Sequence, residues 1–325
     1  MNMINSDEMV QRILKHNKGK IDSVYFTACG GSLVDMYVSY YFLEAESKKI
    51  STGWYTSNEF VHVTPKKLGV NSIVFICSHS GNTPEAVEAA RVAQEHGALT
   101  IGLTFNDKAD LLKYSDEKIV YEWGNEKEVV HNPMAIMLDL TSKILAGVEG
   151  YNRLAEFNDA FDKIDTIVDN AIEQVQPRAK HFAEKYSNEK MFYILGSGPS
   201  YGHAYGFAIC SLMEMQWLDA APIHSGEYFH GPFEVTDKNR PYIVIESVGR
   251  TRSLDERAID FLNKYAEKVE IVDAKELGLD MIDSKVAEYF NPILFYTILS
   301  EYRSKLADKR DHSLDVRRYM GKVPY

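Results

Sequence analysis

The sequence has few cysteines and no long apolar segment. Only three of its 325 residues are cysteine, at positions 29, 77 and 210, and an odd number cannot pair completely into disulfides. No stretch approaches the roughly 18 consecutive apolar residues of a membrane helix, and the first ten residues lack the apolar core of a secretory signal. We therefore expect a protein of the reducing cytoplasm, neither exported nor inserted into a membrane.

Basic charge is also scarce. Lysine and arginine total 36 against 47 aspartates and glutamates, so the formal net charge is −11. This charge repels nucleic-acid phosphates at long range, and no basic stripe or helix-turn-helix pattern offsets it, so nucleic acid is not an expected partner. A small anionic ligand must then be held by local hydrogen-bond donors, because the overall field does not attract it.

The sequence motifs of common cofactor and metal sites are missing. There is no H-E-x-x-H pair and no C-x-x-C, no Walker Gly-Lys-Ser/Thr, and no G-x-G-x-x-G dinucleotide pattern. We expect no metal and no organic cofactor.

The chain is long enough for two ordinary domains, and its composition, 45% hydrophobic and 26% charged, is that of a globular protein. Short apolar runs at residues 23–28, 72–77 and 98–103 alternate with helical patterns such as residues 83–96. This alternation predicts an α/β fold with parallel sheets covered by helices on both faces. The amphipathic stretch 154–186 predicts long linking helices. We place a first domain at residues 1–150, and the linker, second domain and tail at residues 151–325.

An internal repeat supports two related domains. A shift of 168 residues lays residues 27–32 (TACGGS) on residues 195–200 (LGSGPS). The same shift lays residues 78–83 (SHSGNT) on residues 246–251 (ESVGRT) without a gap. Two strand-to-helix turns in one register indicate duplication of an α/β unit. The second copy has valine at position 248 where the first has Ser80, so we expect one functional anion site and one degenerate copy.

Residues 78–83, here called the hydroxyl turn, carry three hydroxyl side chains between a predicted buried strand and a helix. The free N–H groups and dipole at such a helix start favour an anion, and Ser78, Ser80 and Thr83 add uncharged donors. The alternative is that these residues only cap the helix, for which one hydroxyl is enough. Three hydroxyls, opposite a second turn that ends in Ser32, favour a phosphate ligand.

The second half has two unusual ionisable residues. Glu214 interrupts an apolar stretch, where burial would raise the pKa of its carboxyl group toward neutrality. Periodicity alone equally allows a solvent-facing position between two core methionines. His230 precedes a Gly-Pro break that holds its imidazole on irregular backbone, although a single histidine is more often an ordinary surface or core residue.

These motifs together resemble the sugar isomerase (SIS) family, whose phosphosugar site is a Ser-x-Ser-Gly-x-Thr turn facing a Cys/Gly-rich turn that ends in serine. The resemblance covers nearly the whole chain, including the duplication. It implies two tandem doubly wound SIS domains that need no NAD. It also implies the residues that surround a sugar phosphate, namely Ser32, Ser78, His79, Ser80 and Thr83.

In the aminosugar enzymes of this family, a catalytic glutamate on a helix precedes a Gly-Glu-x-x-His-Gly-Pro segment. Residues 226–232 of this chain match that segment. The resemblance therefore implies that Glu214 and His230 are the acid–base pair and that Glu227 supports substrate binding. It also implies a homodimer or larger homo-oligomer in which subunits share sites.

Within the family, the chain looks most similar to the fructosamine-6-phosphate deglycases, through residues 29–32, 213–217, 225–233 and 317–325. Such enzymes convert an Amadori 6-phosphate and water to glucose 6-phosphate and an amine. In the tail, Lys322 is then a candidate substrate contact, whereas Pro324 departs from the acidic residue expected there and leaves the amine-side contacts open.

Two other functions remain open at this stage. One is deamination of glucosamine 6-phosphate or aldose–ketose isomerisation, which share an enaminol or enediol step. The other is a phosphosugar sensor, which would need neither Glu214 nor His230. A glutamine-fed synthase is not expected, because Met1-Asn2 offers no N-terminal cysteine nucleophile.

Overall fold

The structure is a computed structural model that describes residues 6–16, 18–124 and 127–324. Its chain divides into two compact units, with the boundary between Asp159 and Ala160.

The first unit is built on a five-stranded parallel sheet with strand order β2-β1-β3-β4-β5. Its strands are β1 (Ser23–Ala28), β2 (Ser51–Thr56), β3 (Ser72–Cys77), β4 (Leu99–Thr104) and β5 (Glu117–Val120). Its helices are α1 (Ser6–His16), α2 (Gly31–Glu46), α3 (Ser57–His62), α4 (Pro84–Glu95) and α5 (Pro133–Glu149), and α6 (Leu154–Tyr186) begins before the boundary.

Every residue of the central strands β1, β3 and β4 is buried, as expected for a parallel sheet covered on both faces. On one face, Tyr25, Val74 and Ile76 pack with alanines of α4. Side chains alternate along a strand, so Phe26 and Phe75 lie on the other face, where their rings stack 5.3 Å apart.

The second unit has a four-stranded parallel sheet with strand order β7-β6-β8-β9. Its strands are β6 (Met191–Gly196), β7 (Asp219–His224), β8 (Pro241–Glu246) and β9 (Lys268–Asp273). Its helices are the remainder of α6, then α7 (Tyr201–Gly206), α8 (Arg252–Tyr265) and α9 (Asn291–Arg310), and a π-helical segment, Phe207–Glu214, continues α7.

The sheet registers confirm the internal repeat. Ser23 pairs with Ser51 in the first unit, and 168 residues later Met191 pairs with Asp219. The same shift relates the β1–β3 pairs to the β6–β8 pairs, for example Tyr193 with Tyr242. The fold is therefore the predicted pair of doubly wound α/β units.

Two details differ from the sequence predictions. Sequence patterns did not identify β2 and β7, which are short edge strands of mixed burial without a clear alternation. Residues 154–186 form one helix, α6, which continues through Pro177, instead of several linking helices.

Within the described ranges, no helix is both long enough and apolar enough to cross a membrane.

Candidate functional site

The hydroxyl turn joins β3 to α4 and is organised by its own side chains. The hydroxyl oxygens of Ser78 and Thr83 lie 2.9 Å apart, within hydrogen-bond distance. Ser78 Oγ also accepts from the backbone N–H of Gly81 at 3.1 Å, and Ser80 Oγ accepts from the N–H of Asn82 at 3.2 Å. Pro84 occupies the first turn of α4, where no N–H is required. The turn therefore presents a group of hydroxyls at the start of a helix.

Capping does not explain these hydroxyls. Thr83 is the N-cap residue of α4, but its side chain makes no capping hydrogen bond to the helix. Its hydroxyl turns instead toward Ser78. Serine and threonine at this position normally stabilise a helix through that missing bond. The arrangement favours the alternative in which the donors of the turn serve a ligand.

Gly81 gives the turn its shape, and replacing it by alanine should destabilise the first unit. Gly81 has a φ of 68°, and a Cβ there would lie 2.1 Å from Ala109 Cβ. We expect Gly81→Ala to lower the free energy of unfolding by about 2 to 4 kcal/mol, measured by urea denaturation. Gly69→Ala is the matched control, since its Cβ would meet nothing closer than a carbonyl oxygen at 4.0 Å. Equal stability of the two variants would contradict this assignment.

His79 lies in an aromatic environment on the same turn. Its ring stacks on Phe105 with centroids 5.2 Å apart and meets the edge of Trp123 at 4.9 Å. Its Nδ1 is 3.0 Å from the Tyr121 hydroxyl. Partial burial lowers the pKa of His79, so the neutral imidazole is favoured near pH 7. A neutral ring can donate one hydrogen bond to a ligand without bringing a charge.

Ser32, at the start of α2, lies beside the end of β3. Its hydroxyl hydrogen-bonds with the thiol of Cys77, which also hydrogen-bonds with Tyr121. Burial raises the pKa of that thiol, so it stays protonated. The structure thus brings Ser32 to the residue that precedes the hydroxyl turn. In the first unit, all five predicted phosphate-site residues lie at the carboxyl ends of β1 and β3, where ligands of open α/β sheets bind.

Asp35 is a neighbour of this site that the sequence analysis missed. It lies one turn after Ser32 on α2, is buried, and is within electrostatic reach of Cys77. Burial raises the pKa of its carboxyl group from 3.8 to about 7. Its isolation among apolar helix residues was the sequence signal that could have revealed it.

The equivalent turn of the second unit is closed by the protein's own side chains. Asp255 accepts from the N–H of Ser247 at 3.2 Å, and Glu288 accepts from the N–H of Arg250 at 3.1 Å. In the hydroxyl turn, by contrast, no backbone N–H donates to a carboxylate of the described chain. Carboxylates thus take up donors that an anion would need. This supports one open anion site and one degenerate copy.

Glu214 ends the π-helical segment of the second unit, and such segments are frequent at functional sites. Its carboxylate pairs with Arg317 of the C-terminal tail, with Oε1 to Nη2 at 2.7 Å and both side chains largely buried. Met213 beside it is 41% exposed. Glu214 is therefore not a solvent-facing residue between two core methionines. The sequence did not predict the pairing with Arg317.

The tail is fastened to this helix end by further contacts. The guanidinium of Arg318 lies over the ring of Trp217, 4.3 Å from its centroid, and the edge of His312 meets the same ring at 4.6 Å. Lys322 donates to the backbone carbonyl of Arg317. Trp217 has a φ of 52°, a conformation uncommon for a bulky residue, which places its ring under the tail. The tail thus covers the end of the segment that carries Glu214.

His230 and Glu227 lie on the turn-rich segment after β7, and both side chains are exposed. The N–H of His230 donates to the carbonyl of Glu227 at 2.9 Å, which fixes the loop, and Gly231 follows with a φ of 129°. Among the hydrogen bonds of the described residues, His230 takes part through its backbone N–H and not through its imidazole. Glu214, Glu227, His230 and Lys322 all belong to the second unit.

No metal site is evident in the described ranges, where no group of three or more His, Cys, Asp or Glu side chains is arranged to hold an ion.

Hydroxyl donors at the carboxyl edge of a parallel sheet, with no charged side chain in the turn, define an α/β protein with a candidate anion site. Comparison with known proteins shows its family. Residues 19–142 match the SIS domain. The chain is 40% identical to the fructosamine deglycase FrlB of Bacillus subtilis (strain 168), over 97% of each protein. It is 24% identical to the fructoselysine 6-phosphate deglycase of Escherichia coli (strain K12), over 98% of this chain and 94% of that protein.

A crystal structure from Salmonella typhimurium LT2, provisionally assigned as a phosphosugar isomerase, superposes with a TM-score of 0.96 at 45% identity and covers 100% of this chain and 98% of that one. The chain belongs to the SIS domain family, as the sequence analysis predicted.

Proposed function

We propose that this protein is a fructosamine-6-phosphate deglycase, a hydrolase that acts on a carbon–nitrogen bond. The observation that carries the proposal is the 40% identity with fructosamine deglycase FrlB over almost the whole of both chains. The hydroxyl turn adds a physical reason, because it supplies uncharged donors for a phosphate in a protein of net charge −11. The substrate is a ketosamine 6-phosphate, and the products are glucose 6-phosphate and a free amine.

In this proposal the phosphate binds at the hydroxyl turn. Ser78, Ser80 and Thr83 donate hydrogen bonds to its oxygens, and the N–H groups and dipole at the start of α4 stabilise its charge. Ser32 and His79 complete the surroundings of the sugar phosphate. Glu227 and Lys322 contact the rest of the substrate.

Glu214 and His230 move the protons. One of them removes a proton from C1 of the ketosamine, and the C2 carbonyl oxygen is protonated, which gives an enaminol. The other delivers a proton to C2, which gives the protonated imine of glucose 6-phosphate at C1. Water then adds to C1, and the carbon–nitrogen bond breaks with release of the amine. Each positioned proton transfer contributes about 10²- to 10⁴-fold to the rate.

This chemistry requires both residues to reach the same substrate. His230 is exposed, which suits a group that completes a site in another copy of the chain. We therefore propose a cytoplasmic homodimer or larger homo-oligomer with shared sites. We assign residues 1–150 to the first SIS domain, and residues 151–325 to the linker, the second SIS domain and the tail. Sedimentation analysis tests the assembly, and a monomer with full activity would contradict shared sites.

The direct test is a substrate panel. Purified protein is incubated with fructoselysine 6-phosphate, a fructose-amino acid 6-phosphate and glucosamine 6-phosphate, and released glucose 6-phosphate and ammonia are measured. We expect glucose 6-phosphate from the ketosamines. Ammonia from glucosamine 6-phosphate, with both ketosamines unreacted, would replace this function by a deaminase.

Removing one hydroxyl from the turn should weaken substrate binding selectively. Thr83→Val keeps the side-chain shape but loses a hydrogen bond to a charged oxygen, so we expect KM to rise about 10-fold with little change in kcat. Thr251→Val is the matched control, because Thr251 holds the same position in the closed second turn. An unchanged KM in Thr83→Val, or equal effects of the two changes, would contradict phosphate binding at this turn.

A further inference from the structure

Tyr121 connects two residues of the proposed phosphate site. Its side chain is buried, and its hydroxyl oxygen lies 3.0 Å from Nδ1 of His79. The same hydroxyl hydrogen-bonds with the thiol of Cys77, which also hydrogen-bonds with the hydroxyl of Ser32. These four side chains therefore form one hydrogen-bonded relay, here called the Tyr121 relay. Its two ends are the Ser32 hydroxyl and Nε2, the second ring nitrogen of His79.

The packing around His79 fixes the direction of its ring. The imidazole stacks on Phe105 with an interplanar angle of 2° and meets the edge of Trp123. Neither of these two side chains carries a titratable group. Because Nδ1 is held by Tyr121, Nε2 lies on the opposite side of the ring, and the His79 side chain as a whole is exposed. A ligand at the hydroxyl turn can therefore reach Nε2.

The number of protons in the Tyr121 relay limits what its ends can donate. Three hydrogen bonds join the four side chains, and each bond uses one proton. With a neutral imidazole and a protonated thiol, each side chain supplies one proton. Only one proton is then left for the two ends. Either the Ser32 hydroxyl or Nε2 of His79 can donate to a ligand, but not both at once.

A phosphate dianion requires more donors than this neutral relay supplies. Its oxygens only accept hydrogen bonds, so a lone pair of Ser32 or of Nε2 turned toward it is repelled. Burial lowers the pKa of His79 and keeps the imidazole neutral in the free protein, whereas a nearby negative charge acts in the opposite direction. One proton added to the imidazole would let both ends donate to the same phosphate.

We propose that Tyr121 is a positioning residue of the phosphate site, and that the relay it completes couples binding of a phosphate dianion to uptake of one proton by the imidazole of His79. The proton comes from water or buffer and returns there when the phosphate leaves. This inference rests on the proposed function, in which Ser32 and His79 surround the phosphate. Tyr121 acts on the ligand only through His79.

The experiment counts protons by calorimetric titration with glucose 6-phosphate near pH 7.5, in two buffers of different ionisation enthalpy. The free ligand is then almost entirely a dianion, since the second pKa of a phosphate monoester is about 6. We expect uptake of about one proton per bound ligand in the wild-type protein. In Tyr121→Phe we expect almost none, because the interrupted relay leaves a proton for each end.

Tyr114→Phe is the matched control. It removes the same hydroxyl group from the same unit, at a ring that packs against the apolar cluster around Tyr25 and Val74. It should keep the proton uptake of the wild-type protein. The affinity provides a second measurement, because uptake of one proton makes the dissociation constant rise about 10-fold per pH unit between pH 7 and 8. In Tyr121→Phe the dissociation constant should stay nearly constant over this range.

Two further variants locate the proton. Asp35 lies near Cys77, and burial raises its pKa to about 7, so it titrates in the same range. Asp35→Asn should keep the proton uptake, and His79→Gln should lose it. Thermal melting verifies that each variant is folded, and the comparison of the wild-type protein with His79→Gln is decisive even if Tyr121→Phe does not fold.

Three results would overturn the inference: no proton uptake in the wild-type protein, equal uptake in a folded Tyr121→Phe, or uptake that is lost in Asp35→Asn and kept in His79→Gln. Each of them leaves the deglycase function standing, because ketosamine turnover is measured separately. If the wild-type protein does not bind glucose 6-phosphate, the phosphate site is wrong and the inference falls with it. If it binds glucose 6-phosphate but cleaves no ketosamine, the deglycase function fails and the proton count still decides the role of Tyr121.

Discussion

Glu214→Gln and His230→Asn should each lower kcat for ketosamine cleavage by about 10²- to 10⁴-fold, the usual contribution of a positioned acid or base. Glu214→Gln keeps the side-chain size, His230→Asn leaves a smaller polar side chain, and both changes remove the titrating group. Because the proposed phosphate site is the hydroxyl turn, the affinity for glucose 6-phosphate should stay near the wild-type value. Coupled measurement of glucose 6-phosphate release gives kcat, and calorimetric titration gives the affinity.

Glu234→Gln is the control for these variants, since Glu234 is an exposed carboxylate four residues after His230. It should turn over at the wild-type rate. Wild-type turnover in Glu214→Gln or in His230→Asn would contradict the acid–base assignment. If both variants remained fully active in binding while no ketosamine reacted even with the wild-type protein, a phosphosugar sensor would be the better interpretation.

The central strands of the sheets were predictable because their residues are uniformly buried. Residues 23–28 and 72–77 were predicted as strands and are β1 and β3 with the same bounds. A continuous apolar run is typical of a parallel strand covered on both faces, so local composition was enough. The edge strands β2 and β7 lack such a run, and their pairing depends on long-range contacts that no local pattern encodes.

The sequence predicted which side chains of the candidate site lie together only where those side chains come from one contiguous stretch. It did not predict contacts between distant segments. The hydroxyl turn is one short stretch, so the sequence alone indicated its hydroxyls. The ion pair of Glu214 with Arg317 joins residues about 100 positions apart through the fold of the tail. From Val248 the sequence predicted a degenerate second copy of the turn, but not how it is closed. The carboxylates that close it, Asp255 and Glu288, come from α8 and the segment before α9.

The internal repeat also relates two residues, Asp35 and His203, that the sequence motifs did not connect. The shift of 168 residues lays Asp35 on His203, and both are buried ionisable side chains on the first helix after a glycine-containing turn. The ring nitrogens of His203 have no hydrogen-bond partner in the described chain, and burial lowers the pKa of His203 to about 3. Both positions thus favour the neutral form of their side chain, which for Asp35 is the protonated acid.

Asp35 should therefore make stability depend on pH. Burial raises its pKa in the folded state to about 7, against 3.8 for the exposed group. The folded protein then binds more protons than the unfolded chain between these values, so the contribution of Asp35 is fully present below pH 3.8 and is lost as pH rises through about 7. A shift of about three pKa units corresponds to a difference on the order of 4 kcal/mol at most.

Asp35→Asn removes this titration and keeps the size of the side chain. We expect the variant to match the wild-type protein near pH 4 and to exceed it progressively up to pH 8, by as much as about 4 kcal/mol in the free energy of unfolding. Glu246 and Asp255, whose pKa values burial also raises, to about 7 and about 6, titrate in both proteins, so the difference isolates Asp35. Asp107→Asn, at an exposed aspartate, should give no such divergence in urea denaturation across this pH range. A constant offset between Asp35→Asn and the wild-type protein would show that Asp35 stays ionised in the fold, because only a proton held by the native state can make the two curves separate as pH rises.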